Sequence, residues 1–201
     1  MKLYYTPGAC SQAPHIAAHE LGLPVEAVKV DLAKHALADG SDYYKVNPKG
    51  YVPLLVLDDG STLSEANVIL QYLADRKPGA LAPAFGTPER WKLMEMLAFL
   101  ATEVHKGYGV LWSPQTPAEV RKAAIDRLGT RFTLLSETLA RQPFLMGKAF
   151  TIADAYFFVL LNWTNVHKID LSPWPALKDY QARVAARPAV QATLKAEGLV
   201  K

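Results

Sequence analysis

The stretch Val52-Pro53-Leu54-Leu55-Val56-Leu57-Asp58-Asp59-Gly60-Ser61-Thr62-Leu63-Ser64-Glu65-Ala66 decides how the first part of this chain folds. Val52 to Leu57 is an apolar run of strand length, and Asp59-Gly60 is a hairpin signal that turns it back into Ser61-Thr62-Leu63. Ser64 is then placed to cap a helix in which Val68, Ile69, Tyr72 and Leu73 recur at helical spacing. Pro53 is the oddity, because proline cannot donate to a ladder and is confined to sheet edges and irregularities. Either it is an ordinary trans edge proline, or the Val52–Pro53 bond is cis and turns the Val52 backbone outward, where an extended peptide could pair with it.

Upstream, Leu3, Tyr4 and Tyr5 form an apolar strand stopped by Pro7-Gly8. A helix follows from about Ser11 to Leu21, with Pro14 in its first turn and Gly22 at its end. Val28, Val30 and Leu32 alternate with polar residues as in a strand. A further helix is expected over Ala36 to Val46, before the turn Asn47-Pro48-Lys49-Gly50. Parallel pairing of the first two strands and an antiparallel hairpin at the end make one mixed sheet with helices against it. That is the thioredoxin-like order.

The composition changes at residues 78–88, a Pro/Gly/Ala-rich linker. Beyond it the signals are helical. Leu93, Leu97, Leu100 and Val104 repeat at helical spacing, and further helices are expected over Ala118–Arg141, Thr151–Val166, Ala176–Ala186 and from Pro188. The expected architecture is an α/β thioredoxin-like N-terminal domain over residues 1–80 and an all-α C-terminal domain over residues 87–201.

The bulk numbers remove several classes. A formal charge of +3 with no long Lys/Arg run gives no electrostatic support for a nucleic-acid partner. The longest apolar runs are far too short to span a bilayer, so no membrane partner is expected. The start of the chain reads as a strand rather than a signal peptide, and a single cysteine fits a reducing compartment; the expected location is cytoplasmic.

That cysteine, Cys10, lies between a strand and a helix start. Unpaired N–H groups and the helix dipole favour thiolate there, although free cysteine often just packs. Ala13 stands where a Cys-x-x-Cys partner would be, so any redox work needs a second thiol from a small molecule. Ser11 is the neighbouring donor. Glu65 precedes a helix start suited to carboxylates, and could meet an ammonium group or simply favour the dipole. Thr151 and Asp154 read as a capping box that anchors the second domain. His15 and His19 share a helix face but have no third ligand nearby; they read as solvated surface histidines, and no metal is expected. His105-Lys106 lies just off the apolar seam of its helix. No nucleotide-binding or His-Glu-x-x-His motif is present.

In this order and at these spacings, "LYYTPGACS", "VNPKGYVPLLVLDDG", "LSEANVILQYLAD", "ATEVHKGY" and "FTIADAYFF" resemble the cytosolic glutathione transferases, and within them the bacterial beta class. The resemblance covers essentially the whole chain. It implies a homodimer with glutathione as cosubstrate. It places Val52 and cis-Pro53 at the cysteinyl backbone, Glu65 and the Ala66 N–H at the γ-glutamyl end, and Lys34 or His35 near the glycyl carboxylate. Cys10, Ser11 and His105 would surround the sulfur, with Lys106 close by. Thr102 and Glu103 would reach across the dimer to the neighbour's γ-glutamyl group. Two departures bear on affinity: Ala66 lacks the hydroxyl many relatives have, and His35 stands where close relatives can have Lys, making the glycyl contact pH-sensitive.

Three activities follow as expectations. The first is conjugation of the glutathione thiolate to a small hydrophobic electrophile, with Ser11, His105 and the helix start stabilising the sulfur anion. Tyr108, Trp112, Phe158 and Trp163 are candidate pocket walls, and Tyr5 is placed too early to serve as the sulfur ligand. The second is thiol–disulfide chemistry through a Cys10 mixed disulfide. The third is a non-catalytic carrier of hydrophobic ligands.

Overall fold

Strand β1 (Lys2–Tyr5) sits at the middle of a five-stranded sheet ordered β3-β2-β1-β4-β5. It pairs parallel with β2 (Glu26–Asp31) and antiparallel with β4 (Leu54–Val56), which pairs antiparallel with β5 (Thr62–Ser64). β3 (Ala36–Leu37) closes the other edge, antiparallel to β2. The sheet is mixed, as the sequence led us to expect. This is a computed structural model, and it describes residues 1–200.

Alternation along the strands sends apolar side chains to both faces. Tyr4 and Leu54 are register partners on one face and cluster there with Val30, Tyr43 and Val52. Leu3 and Leu55, also partners and both wholly buried, project to the other. Each such leucine contributes about 1.5–3 kcal/mol by leaving water. Helices α1 (Gln12–Leu21) and α2 (Ala66–Asp75) pack on one another through buried residues that include Ile16, Ala17, Ile69 and Leu70.

The helix expected over Ala36–Val46 does not form. β3 occupies its start and a single 3-10 turn, Tyr43–Lys45, its end. Short polar side chains capture the backbone instead: Asp39 accepts the Ser41 N–H at 2.9 Å, and Asp42 accepts the Tyr44 N–H at 2.9 Å. The cap of α2 is also displaced. Ser64 belongs to β5 and its hydroxyl accepts from Lys49 Nζ at 2.9 Å, while Glu65 holds the N-cap position at φ 71°, ψ 116°.

The chain forms two compact units, Met1–Ala82 together with the chain from Ala186 onward, and Pro83–Ala185. This corrects the expected second domain of 87–201, because α7 (Pro188–Ala196) packs on α1. The reason is polar. Glu197, with its side chain fully buried, accepts from Gln12 Nε2 and meets His15 Nδ1, both at 2.9 Å. Thr193 Oγ1 lies 2.7 Å from His19 Nδ1, and Arg187 forks onto the Glu20 carboxylate. His15 is therefore buried, not the solvated surface histidine expected; His19 stays exposed.

The second unit is helical. α3 (Pro88–Phe99) starts at Thr87, whose hydroxyl accepts the Arg90 N–H at 3.2 Å, and runs into a π-helical turn at Leu100–His105 and a 3-10 segment at Lys106–Trp112. The stripe Leu93, Leu97, Leu100 and Val104 is at most 1% exposed despite the change of pitch. A Cβ on Gly107 would lie 2.7 Å from Leu128 Cδ2, so a larger residue here would have to push aside the buried Leu128 side chain of α4 (Ala118–Leu139). α5 (Ile152–His167) is buried on nearly every face and starts at the Thr151–Asp154 capping box. The Asp154 carboxylate also accepts the Leu145 N–H at 2.8 Å and the hydroxyl of Tyr180, on α6 (Pro175–Ala185), at 3.2 Å.

Candidate active site

Topology brings four of the predicted segments to one end of the sheet. β1 and β2 run parallel, so the Cys10 loop and the Lys34–His35 turn both leave from that end. β4 runs the other way, so its start, Val52–Pro53, lies beside the exit of β1: Tyr4 pairs with Leu54. β5 returns with Ser64 opposite Leu54, which delivers Glu65 and Ala66 to the same end. Ligands of open α/β sheets bind where strand carboxyl ends and helix starts converge in this way.

Cys10 is half-buried and directly precedes the N-cap of α1. Its thiol donates to the Val52 carbonyl at 3.3 Å, so the lone cysteine and the proline-bearing strand meet. The Val52–Pro53 bond is cis, and among the described residues no protein acceptor takes the Val52 N–H. Ser11 is placed differently from the expectation. It is wholly buried, accepts the Thr6 N–H at 3.1 Å and donates to the Thr6 carbonyl at 3.3 Å. Its hydroxyl thus closes the Thr6–Ser11 loop.

Glu65 holds a backbone conformation that residues other than glycine seldom adopt, at the start of α2. Such strain persists where the surrounding structure over-determines it, most often at binding sites. The first N–H groups of α2, beginning at Ala66, have no intrahelical acceptor and form a ready anion site. Lys34 is exposed and only 3.7 Å from Asp31, a weak pair. His35, also at positive φ (49°), packs against Tyr44 with the two rings tilted and their centroids 4.5 Å apart. Its Nδ1 is buried without a hydrogen-bond partner beside Gly50, where a Cβ would come within 3.2 Å of it.

The second unit holds the other four predicted residues on one irregular stretch. The π-helical turn carries Thr102, Glu103 and His105, and Lys106 follows; such turns recur at functional sites. His105 Nδ1 lies 2.6 Å from Tyr156 Oη, and its ring stands edge-on to Trp163 at 4.9 Å. Burial first, then the Lys106 charge, push the His105 pKa down to about 4, so the imidazole is neutral at pH 7. Glu103 is held by the Arg131 guanidinium, 3.1 Å from Nε, and the Thr102 hydroxyl donates to the Ala98 carbonyl at 3.0 Å. Of the proposed pocket walls, Tyr108, Phe158 and Trp163 are core residues and only Trp112, 49% exposed, is open. Tyr156 escaped the sequence reading because it sits inside an apolar helix whose motif reads as a fold anchor. Glu197 escaped because its partners lie more than 180 positions away.

Residues 8–76 match the family model of the glutathione S-transferase N-terminal domain, and residues 90–188 that of the C-terminal domain. The chain belongs to the glutathione transferase family. It is 44% identical, over 99% of its length and 100% of the relative, to glutathione S-transferase GstA of Escherichia coli O157:H7. A sphingomonad glutathione S-transferase solved in complex with glutathione superposes with a TM-score of 0.95 at 46% identity, covering 100% of both chains. The bacterial beta class enzyme of Sphingomonas chungbukensis does so with a TM-score of 0.95 at 47% identity, again over 100% of both. As a member of this family with a beta-class fold, the transferase places Cys10, Val52, Glu65 and His35 at one end of its N-terminal sheet. No helix among its described residues is long and apolar enough to cross a membrane.

Proposed function

We propose that this end of the sheet holds glutathione and that the transferase conjugates its thiolate to small hydrophobic electrophiles. The observation that carries the reading is the convergence of Cys10, cis Val52–Pro53, the strained Glu65 and His35 at one sheet end. Glutathione offers a peptide backbone, an ammonium group, two carboxylates and a thiol. Val52 supplies a strand backbone for the cysteinyl unit. Glu65 supplies a carboxylate for the ammonium and the Ala66 N–H a donor for the neighbouring carboxylate. Lys34 and His35 supply cations or donors for the glycyl end.

By family resemblance alone, Cys10 and the start of α1, and separately His105 and Lys106, are assigned to the sulfur; Ser11 is assigned a supporting role through Thr6. Lowering a thiol pKa from about 8.5 to about 6.5 corresponds to roughly 2.7 kcal/mol, within reach of one or two charge-assisted hydrogen bonds. By family resemblance the enzyme acts as a homodimer, with Thr102 and Glu103 directed to the neighbour's site. The single cysteine fits a cytoplasmic location.

Calorimetry at neutral pH with millimolar glutathione tests the binding site, and turnover against a panel of electrophiles tests the chemistry. Saturable binding and thioether formation are expected. No heat of binding overturns the reading, and tight binding without turnover moves it to a ligand carrier.

A further inference from the structure

The contact between His105 and Tyr156 determines which nitrogen of the imidazole carries the proton. Tyr156 is 2% exposed on α5, a helix held by its capping box and by the Tyr180–Asp154 bond. Its hydroxyl is therefore a fixed point, and at 2.6 Å from His105 Nδ1 it makes a short hydrogen bond. Trp163 stands edge-on to the same ring, so the ring is held on a second side.

A neutral imidazole has one N–H and one bare nitrogen, and the partner of one nitrogen sets the state of the other. Two arrangements satisfy the contact: phenol O–H to bare Nδ1, or Nδ1–H to the phenol oxygen. The phenol is the stronger acid of the two donors, and the imidazole nitrogen is the stronger base of the two acceptors, so the first arrangement is favoured. We propose that Tyr156 is a positioning residue that locks His105 in the Nε2–H tautomer, so that the ring presents a donor, not a base, at its outer nitrogen. The catalytic consequence rests on the assignment of His105 to the glutathione sulfur. There, a fixed N–H stabilises thiolate sulfur, and the thiol proton leaves to solvent rather than to the imidazole.

Long-range proton–nitrogen NMR of the full-length, nitrogen-15-labelled protein at neutral pH reads the tautomer directly, with His105→Gln used to assign the ring. The expected result is a single Nε2–H pattern for wild type and tautomer averaging in Tyr156→Phe. An Nδ1–H pattern in wild type overturns the proposal, as does an unchanged Nε2–H pattern in Tyr156→Phe. Should Tyr156→Phe fail to fold, the wild-type spectrum alone still decides the tautomer. In the folded variant, kcat for conjugation should fall by about three- to tenfold with little change in glutathione affinity. Undiminished kcat overturns the positioning role. Failure of wild type to bind glutathione in calorimetry would instead sink the assignment of the sulfur site and leave the tautomer result standing.

Discussion

The Glu197 carboxylate accepts the backbone N–H of Gly8 at 3.0 Å, and so ties the tail of the chain to the loop that presents Cys10. The same oxygen accepts from Gln12 Nε2, and the other meets His15 Nδ1. Three groups on the loop and first helix thus depend on one carboxylate whose side chain is wholly buried.

Removing that carboxylate should leave buried donors unmatched, at about 1–3 kcal/mol for each. Glu197→Ala is expected to lose about 2–4 kcal/mol of stability in urea denaturation and to raise the KM for glutathione, because Gly8 is two residues from Cys10. Glu197→Gln keeps an acceptor for Gly8 and should lose less. Equal stability of Glu197→Ala and wild type would show that the tail is not a strap.

The strap also shows what sequence could not disclose. Strands, the hairpin and most helices follow local periodicity, and were legible because each is decided within about a dozen residues. Glu197 gives no local sign of its role, and His15, on a helix with a polar neighbour at His19, reads as surface until α7 covers it. The missing helix at 36–46 failed for the opposite reason. Within that stretch Asp39, Ser41 and Asp42 offered the backbone local hydrogen bonds that compete with a helix. The candidate site was legible as residues and order, since motif spacing survives without coordinates. The inward turn of Ser11, the φ of Glu65 and the Tyr156 bond to His105 are tertiary facts.

Glu65 separates strain from binding. Backbone conformations of this kind cost about 1–3 kcal/mol outside glycine. Glu65→Ala keeps the strain and removes the carboxylate, whereas Glu65→Gly removes both. Both variants should lose glutathione affinity about ten- to a hundredfold, the loss of a charge-assisted hydrogen bond. Glu65→Gly should nonetheless be more stable than Glu65→Ala by about 1 kcal/mol, after the larger entropy of unfolded glycine is subtracted. Thermal denaturation beside calorimetry checks both halves, and equal stability of the two variants would remove the strain argument.

His105 and Asp154 should pull the pH dependence of stability in opposite directions. The His105 pKa is held at about 4, below its ordinary value of 6.5, so the unfolded chain binds more protons between those values. Its stabilising share is complete above pH 6.5 and is lost as pH falls towards 4. Burial of Asp154 raises its pKa from 3.8 to about 6, against the four hydrogen bonds that its carboxylate accepts. Its share is complete below pH 3.8 and is lost as pH rises to about 6. His19 and His167, both also lowered chiefly by burial, add to the first direction. In His105→Gln the loss of urea stability between pH 6.5 and 4 should therefore be smaller than in wild type. An unchanged slope would mean that this imidazole is not buried in its neutral form.

Cys10 presents the last choice, between directing chemistry and performing it. Its S–H donates to the Val52 carbonyl, a bond that only protonated sulfur makes. In the proposed complex the cysteinyl N–H of glutathione competes for that same carbonyl. Binding would then loosen the Cys10 proton, and the freed thiolate would attack oxidised glutathione, breaking its disulfide to form the Cys10 mixed disulfide and release one reduced glutathione. Conjugation needs no such bond, since His105 and the start of α1 are assigned to the glutathione sulfur. Cys10→Ala is accordingly expected to keep thioether formation within about threefold of wild type, the loss of one weak hydrogen bond. It should lose glutathione-dependent disulfide reduction entirely. Mass spectrometry of the unreduced wild type with oxidised glutathione should show one glutathionyl group on Cys10. Loss of conjugation in Cys10→Ala would make Cys10 itself the group that activates glutathione, and would move the sulfur assignment from His105 to the cysteine.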